Sequence, residues 1–98
     1  PKNQYTKWFD YDKIKGTLSL RHRQPGDYLT LPSGGRKTLK SWMIDEKIPR
    51  QEREEIWLLA EEKHILWIVG HRISAYYKIT EQTKTILEVE FNGGKSSG

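Results

Sequence analysis

The chain has 98 residues, 17 Lys or Arg against 13 Asp or Glu, a formal charge of +4, 35% hydrophobic residues and no cysteine. That length fits one domain burying about 60–68% of its unfolded surface. The missing cysteines exclude disulfides, zinc knuckles and thiol catalysis, and fit a reducing cytosol. The longest apolar run, residues 65–69, is far short of the ~20 residues of a membrane span, and no N-terminal apolar segment reads as a signal peptide.

Residues 1–12 are expected to be a lead-in segment with at most one short strand: Tyr5, Trp8, Phe9 and Tyr11 can pack, but Asp10 and Asp12 break the pattern. Residues 17–23 alternate as a strand, with Leu18, Leu20 and His22 on one face and Ser19, Arg21 and Arg23 on the other. Pro25-Gly26-Asp27 predicts a type II turn, proline presetting φ and glycine accepting a positive one. Residues 28–31 then return as the second arm of a hairpin-like unit. After the Pro32–Gly35 loop, Leu39, Trp42, Met43 and Ile48 share a helical face and predict a helix over 37–47. Pro49 stops it and opens a short second helix over 49–56. Residues 57–60 and 65–69 are apolar runs that suit strands covered on both faces, joined by a turn at Glu61–His64. Residues 71–75 are irregular and 76–79 predict a short strand. Residues 85–91 alternate Leu87, Val89 and Phe91 against Glu88 and Glu90, a strand with one wet face. The Gly/Ser-rich residues 92–98 are expected to be a disordered tail or linker. The order predicts a single α+β domain over residues 13–91, with a mainly antiparallel sheet and two short helices.

Charge is unevenly spread. Residues 13–53 hold ten cations (Lys13, Lys15, Arg21, Arg23, Arg36, Lys37, Lys40, Lys47, Arg50 and Arg53) and four acids, a local balance of +6 that leaves −2 for the rest. A basic half suggests an anionic partner docking on one side of the domain, most commonly nucleic acid. Arg21 and Arg23 would project from one strand face about 7 Å apart, near the spacing of adjacent phosphates. Gly34-Gly35 lets backbone approach a ligand. Arg36 and Lys37, with Lys40 after them, are expected at a helix start whose free N–H groups favour anions. The alternatives are a solvated basic face with scattered salt bridges, or a protein-interaction module whose basic face docks an acidic partner domain.

Other chemistry is poorly supported. Gly34-Gly35-Arg36-Lys37-Thr38 lacks the earlier glycine of a Walker loop, and no third glycine completes a dinucleotide fingerprint. His64 and His71 would face opposite ways and His22 is remote, so no metal set is expected. Asp27 is better suited to bonding backbone N–H groups around its turn than to pairing with His22 as an acid and base. Trp57, Trp67 and Trp42 are expected in the core, leaving Trp8 as the one candidate for base stacking. Scarce exposed aromatics favour recognition of RNA backbone and shape over single-stranded stacking.

Four segments occur in an order that resembles the C-terminal substrate-binding domain of tRNA(Ile)-lysidine synthetase. They are Arg21-His22-Arg23-Gln24-Pro25-Gly26-Asp27, Gly35-Arg36-Lys37-Thr38-Leu39-Lys40, Ile44-Asp45-Glu46-Lys47-Ile48-Pro49 with Arg53, and Ile65-Leu66-Trp67-Ile68-Val69-Gly70-His71-Arg72-Ile73. Together they span roughly residues 17–91. The resemblance implies a sandwich-like α+β fold, related to a domain of the β subunit of bacterial phenylalanyl-tRNA synthetase. It also implies a cytoplasmic parent ligase that joins L-lysine to the wobble cytidine of tRNA(Ile) using ATP. That family's Ser-Gly-Gly-x-Asp-Ser loop is absent here, so ATP and lysine would be bound by other domains, with no cofactor or catalytic residue in this one. Contact with tRNA, near its acceptor stem, carries over to Arg21, Arg23, Lys37, Lys40, Arg53 and Arg72, with Arg36 added where some relatives are neutral. Asp27, Asp45 and Pro49 are assigned to turn and helix geometry.

Overall fold

The structure, a computed structural model, describes residues 5–92; residues 1–4 of the lead-in segment and 93–98 of the expected tail lie outside the described residues. The apolar runs at 57–60 and 65–69 become β5 (Leu58–Glu61) and β6 (His64–Ile68), an antiparallel hairpin turned at Glu62 and Lys63. This hairpin is the centre of a six-stranded sheet. β2 (Leu18–Arg21) pairs with β5, β3 (Tyr28–Thr30) runs parallel to β6, β4 (Arg36–Thr38) pairs with β3, and the two-residue β7 (Arg72–Ile73) pairs with β6. β1 (Thr6–Asp10) and β8 (Ile86–Glu90) form a separate antiparallel pair.

Three layers result. Leu39, Trp42 and Met43 of α1 (Leu39–Asp45), with Ile48, bury against Leu29, Leu58, Ala60, Ile65 and Ile68 on one face of the sheet. Phe9 and Phe91, with Leu87 and Val89, cover Leu59, Leu66 and Trp67 on the other. The expected cover on both faces of β5 and β6 is therefore found, and so is the mainly antiparallel α+β architecture. A β-bulge makes the double duty possible. Ala60 pairs with Ile65 but Leu59 with Trp67, so Leu66 is the extra residue. The bulge shifts the side-chain alternation, placing Ile65 and Ile68 in the helix-side core while both Leu66 and Trp67 enter the other.

Several elements differ from expectation. β2 and β3 do not form a hairpin with each other, because the β5–β6 hairpin, apolar on both faces, takes the covered position between them. The turn joining them has the expected chemistry, with Gly26 at φ 88° and Asp27 N–H donating to Gln24 O at 3.3 Å. Residues 36–38, expected in the first helix, are instead the edge strand β4. Thr38 is the helix N-cap, its side chain accepting from Ser41 N–H at 3.1 Å, so α1 starts at Leu39. The helix ends with Lys47 in the left-handed region (φ 57°), Ile48 N–H bonding Met43 O and Lys47 N–H bonding Ile44 O, a Schellman motif. Pro49 caps the short α2 (Arg50–Arg53) from one position outside it. Residues 76–79 are not a strand: Ser74 caps a 3₁₀ turn at Ala75–Tyr77 through its side chain, a local bond that competes with strand pairing.

Candidate nucleic-acid interface

The basic residues do not share one wall. Arg21 projects on the helix side of the sheet and is held by Asp27, with 2.9 Å bonds to each carboxylate oxygen and further bonds to His22 O and Glu62 O. Its side chain is 16% exposed and that of Asp27 1%. Asp27 also accepts from Gln24 N–H at 2.8 Å, the turn-bonding part expected of it. With both its terminal nitrogens engaged, Arg21 works as a clamp between β2, the Pro25-Gly26 turn and the β5–β6 hairpin. Arg23 pairs with Glu54 (2.6 Å), and Lys37 pairs with Asp45 of α1. Arg53 donates from Nε to Ile48 O at 2.8 Å. The expectation that Arg21 and Arg23 project from one strand face is corrected: β2 ends at Arg21, Arg23 lies beyond it, and each faces its own carboxylate.

Of the seven expected contact residues, two that lie on the helix side remain open. Lys40, on the first turn of α1, and Arg72, opposite Ile68 on β7, are exposed and engage no partner among the described residues. Lys47 and Arg50, at the junction of α1 and α2, are likewise exposed and unengaged there. They belong to the basic segment but not to the residues singled out by motif. Leu39 N–H donates to Asp27 O at 2.8 Å, which docks the start of α1 on the Pro25-Gly26 turn. Arg23, Pro25, Gly26, Thr38, Lys40 and Glu54 consequently line one open cleft of about 550 Å³.

Arg36 lies elsewhere. Register pairs Arg36 with Thr30 and Lys37 with Leu29. Leu29 is in the helix-side core, so strand alternation sends Lys37 to that side and Arg36 to the opposite face. There the Arg36 guanidinium lies 4.0 Å from the Tyr28 ring centroid. The Tyr28 ring stacks on His64 at 4.5 Å and 26°. Tyr76 and Tyr77 adjoin the same imidazole at 5.1 and 4.9 Å. Lys13, Lys15, Thr30, Arg36, His64 and Tyr76 are among the residues lining a second cleft of about 680 Å³.

Electrostatics in this cleft follow from burial and neighbours. Burial pushes the His64 imidazole below its ordinary pKa, the Arg36 charge adds to this, and Glu61 opposes it. The ring bonds Thr30 Oγ1 through Nε2 at 3.0 Å. Burial raises the Glu61 carboxyl, but its bonds from Tyr77 OH and from the N–H groups of Gly16 and Lys15, with the nearby His64, outweigh that and hold it below the usual range. Tyr77 is pushed far up by burial and by Glu61.

Trp42 and Trp67 are core residues as expected, whereas Trp57 is half-buried, its ring 4.0 Å from His22. Trp8 is exposed but bonded to Glu88 at 3.0 Å. The aromatic group of Tyr28, His64 and Tyr76 escaped sequence reasoning because its members lie on β3, β6 and a 3₁₀ turn, far apart in the chain. Among the described residues no cluster of three or more His, Cys, Asp or Glu could hold a metal ion, and no helix is long and apolar enough to cross a membrane.

Residues 18–90 match the family described as the TilS substrate C-terminal domain. The chain is 46% identical over 91 residues to a tRNA(Ile)-lysidine synthase of Caldanaerobacter subterraneus subsp. tengcongensis, covering 92% of this chain and 20% of that protein. It is 41% identical over 97 residues to the synthase of Clostridium tetani, covering 98% and 21%. A solved TILS C-terminal domain superposes with a TM-score of 0.64 at 30% identity, covering 94% of this chain and 77% of that one. The chain spans about a fifth of the length of the curated relatives it matches.

Proposed function

Because the chain belongs to the TilS substrate C-terminal domain family, we propose that it holds tRNA(Ile) for a cytoplasmic ligase that joins lysine to the wobble cytidine, C34, at the expense of ATP. ATP, L-lysine and the reacting cytidine are handled by other parts of that enzyme. This domain grips the tRNA away from the chemistry, near the acceptor stem. The observation that carries this function is the set of open cations on the helix side: Lys40 beside the Pro25-Gly26 turn, Lys47 and Arg50 at the junction of α1 and α2, and Arg72 on the sheet face that α1 covers. An exposed ammonium or guanidinium without a carboxylate partner keeps its full charge for phosphate, whereas one already paired must first break its pair. Arg23 and Lys37, both paired near the surface, can exchange carboxylate for phosphate at small cost, since exposed pairs are worth only about 0–1 kcal/mol. Arg21 is a positioning residue that shapes the turn on which this surface is built.

The test is binding of tRNA(Ile) transcript by the 98-residue chain. Lys40→Glu combined with Arg72→Glu is expected to weaken binding at least tenfold with no loss of thermal stability, both residues being exposed. Unchanged affinity, or binding to an acidic protein domain with none to tRNA, refutes the assignment and favours a protein-docking module.

A further inference from the structure

The second cleft has a composition that phosphate contact alone does not require. Arg36, Tyr28, His64 and Tyr76 form an unbroken run of flat groups, spaced 4.0, 4.5 and 5.1 Å between successive members. The two ends of the run reach the surface: the Arg36 side chain is exposed and has no hydrogen-bond or ion-pair partner among the described residues, and Tyr76 is 42% exposed, flanked by Lys13 and by Tyr77 edge-on. Lys13 Nζ stands 4.9 Å from the Tyr76 ring centroid, and Lys15 borders the same space. Glu61 keeps its negative charge while accepting from Tyr77 OH and the N–H groups of Lys15 and Gly16, so its oxygens are held inward away from the open side of the cleft. Glu62 is the remaining acid on the lining and is exposed.

A cation-capped run of rings, stacked at Tyr28–His64 and tilted by 38° at Tyr76, beside two ammonium groups matches the chemistry of one unstacked nucleotide. Guanidinium planes and tyrosine rings stack bases, which must first leave a helix to reach them. The guanidinium donors of Arg36, the Lys13 ammonium, and the two N–H groups that Lys15 Nζ keeps beyond its 2.9 Å bond to Asp12 O suit the flanking phosphates. A space of about 680 Å³ is within the range of about 300–1,000 Å³ typical of small-molecule sites. A duplex presents its bases edge-on inside its grooves and cannot lay one flat on this wall.

We propose that the cleft between the Tyr11–Lys13 turn, the β3–β4 pair and Tyr76 is a subsite for a single unstacked nucleotide of RNA adjoining the duplex gripped by the helix side. The proposal rests on the RNA-binding function above and assigns to it a second, chemically different contact on the opposite face of the sheet. The test compares two RNA probes with the 98-residue chain: a blunt hairpin, and the same hairpin with a short unpaired extension at its 3′ or 5′ end. One extension is expected to tighten binding about 5- to 150-fold, the gain from stacking one base. Tyr76→Leu should erase that gain while leaving blunt-hairpin affinity unchanged, and Tyr76→Phe should keep it. A gain that survives Tyr76→Leu, or equal affinity for blunt and extended probes, overturns the subsite while RNA binding itself stands. Failure to bind either probe overturns both proposals.

Discussion

Arg21 and Arg23 are two residues apart, and their environments separate them. Arg21 meets Asp27 in a bidentate pair where the carboxylate is almost fully shielded from water. Arg23 meets a Glu54 side chain that is 62% exposed. Removing one member of a buried pair strands the other charge, at a cost of about 3–5 kcal/mol, here at the low end because Arg21 keeps some solvent access. Arg21→Ala is therefore expected to lose about 3 kcal/mol in urea unfolding, against less than about 1 kcal/mol for Arg23→Ala. Equal losses would show that the Asp27 pair is not a structural clamp. His64 makes a second prediction at this scale. Its pKa is lower in the folded state than in the unfolded chain, so the folded protein binds fewer protons over that interval. Its contribution is complete above about pH 6.5 and is lost as pH falls through the folded value. Thermal melts between pH 7.5 and 5 should show wild type losing more stability than His64→Gln. Glu61, held low, contributes in the same direction but only at more acidic pH.

Elements are decided by caps and local bonds more than by apolar spacing. The face of Leu39, Trp42, Met43 and Ile48 is real, and the structure buries all four. The helix is nonetheless shorter than that spacing suggests: Thr38 caps it at the front, β3 recruits Arg36–Thr38 as a strand, and Lys47 closes it behind. Lys47 adopts the left-handed conformation that glycine favours at this position of a Schellman motif. Relief of the steric cost, about 1–2 kcal/mol, exceeds the entropy glycine adds to the unfolded chain, about 0.5–1 kcal/mol. Lys47→Gly should thus raise stability by about 0.5–1 kcal/mol, read as a melting-temperature increase of several degrees for a domain of this size. A lowered melting point would mean that the lysine side chain contributes more than its backbone costs.

At the scale of the whole molecule, the sheet divides the basic residues into two sets. The helix side carries Arg21, Arg23, Lys37, Lys40 and Arg72, and the opposite face carries Arg36 with Lys13 and Lys15 near it. The charge count of residues 13–53 therefore describes two surfaces, and an RNA that touches both must pass around an edge of the sheet, where β4 lies. If four to six phosphates are neutralised, log K should fall with log[salt] with a slope of about −3 to −5. A slope near zero in a titration of tRNA binding would rule out backbone contact as the source of affinity.

Composition and local pattern were enough to define the α+β class, the doubly covered β5 and β6, the glycine at the Pro25-Gly26 turn and the wet face of β8. Each of these follows from near-neighbour chemistry: apolar runs must be covered, and a positive φ calls for glycine. The family was legible too, because three of its four motifs sit on a turn or at helix junctions and the fourth on the apolar run of β6 and the turn into β7, all patterns visible in the sequence. Strand pairing, the bulge at Leu66, the fate of each arginine and the Arg36–Tyr28–His64–Tyr76 stack were decided by tertiary structure alone. Whether a cation is free depends on which carboxylate the fold carries to it, Asp27 to Arg21 and Glu54 to Arg23. The face a strand residue occupies depends on a register set by partners 30 or so positions away, a distance over which local periodicity holds no information.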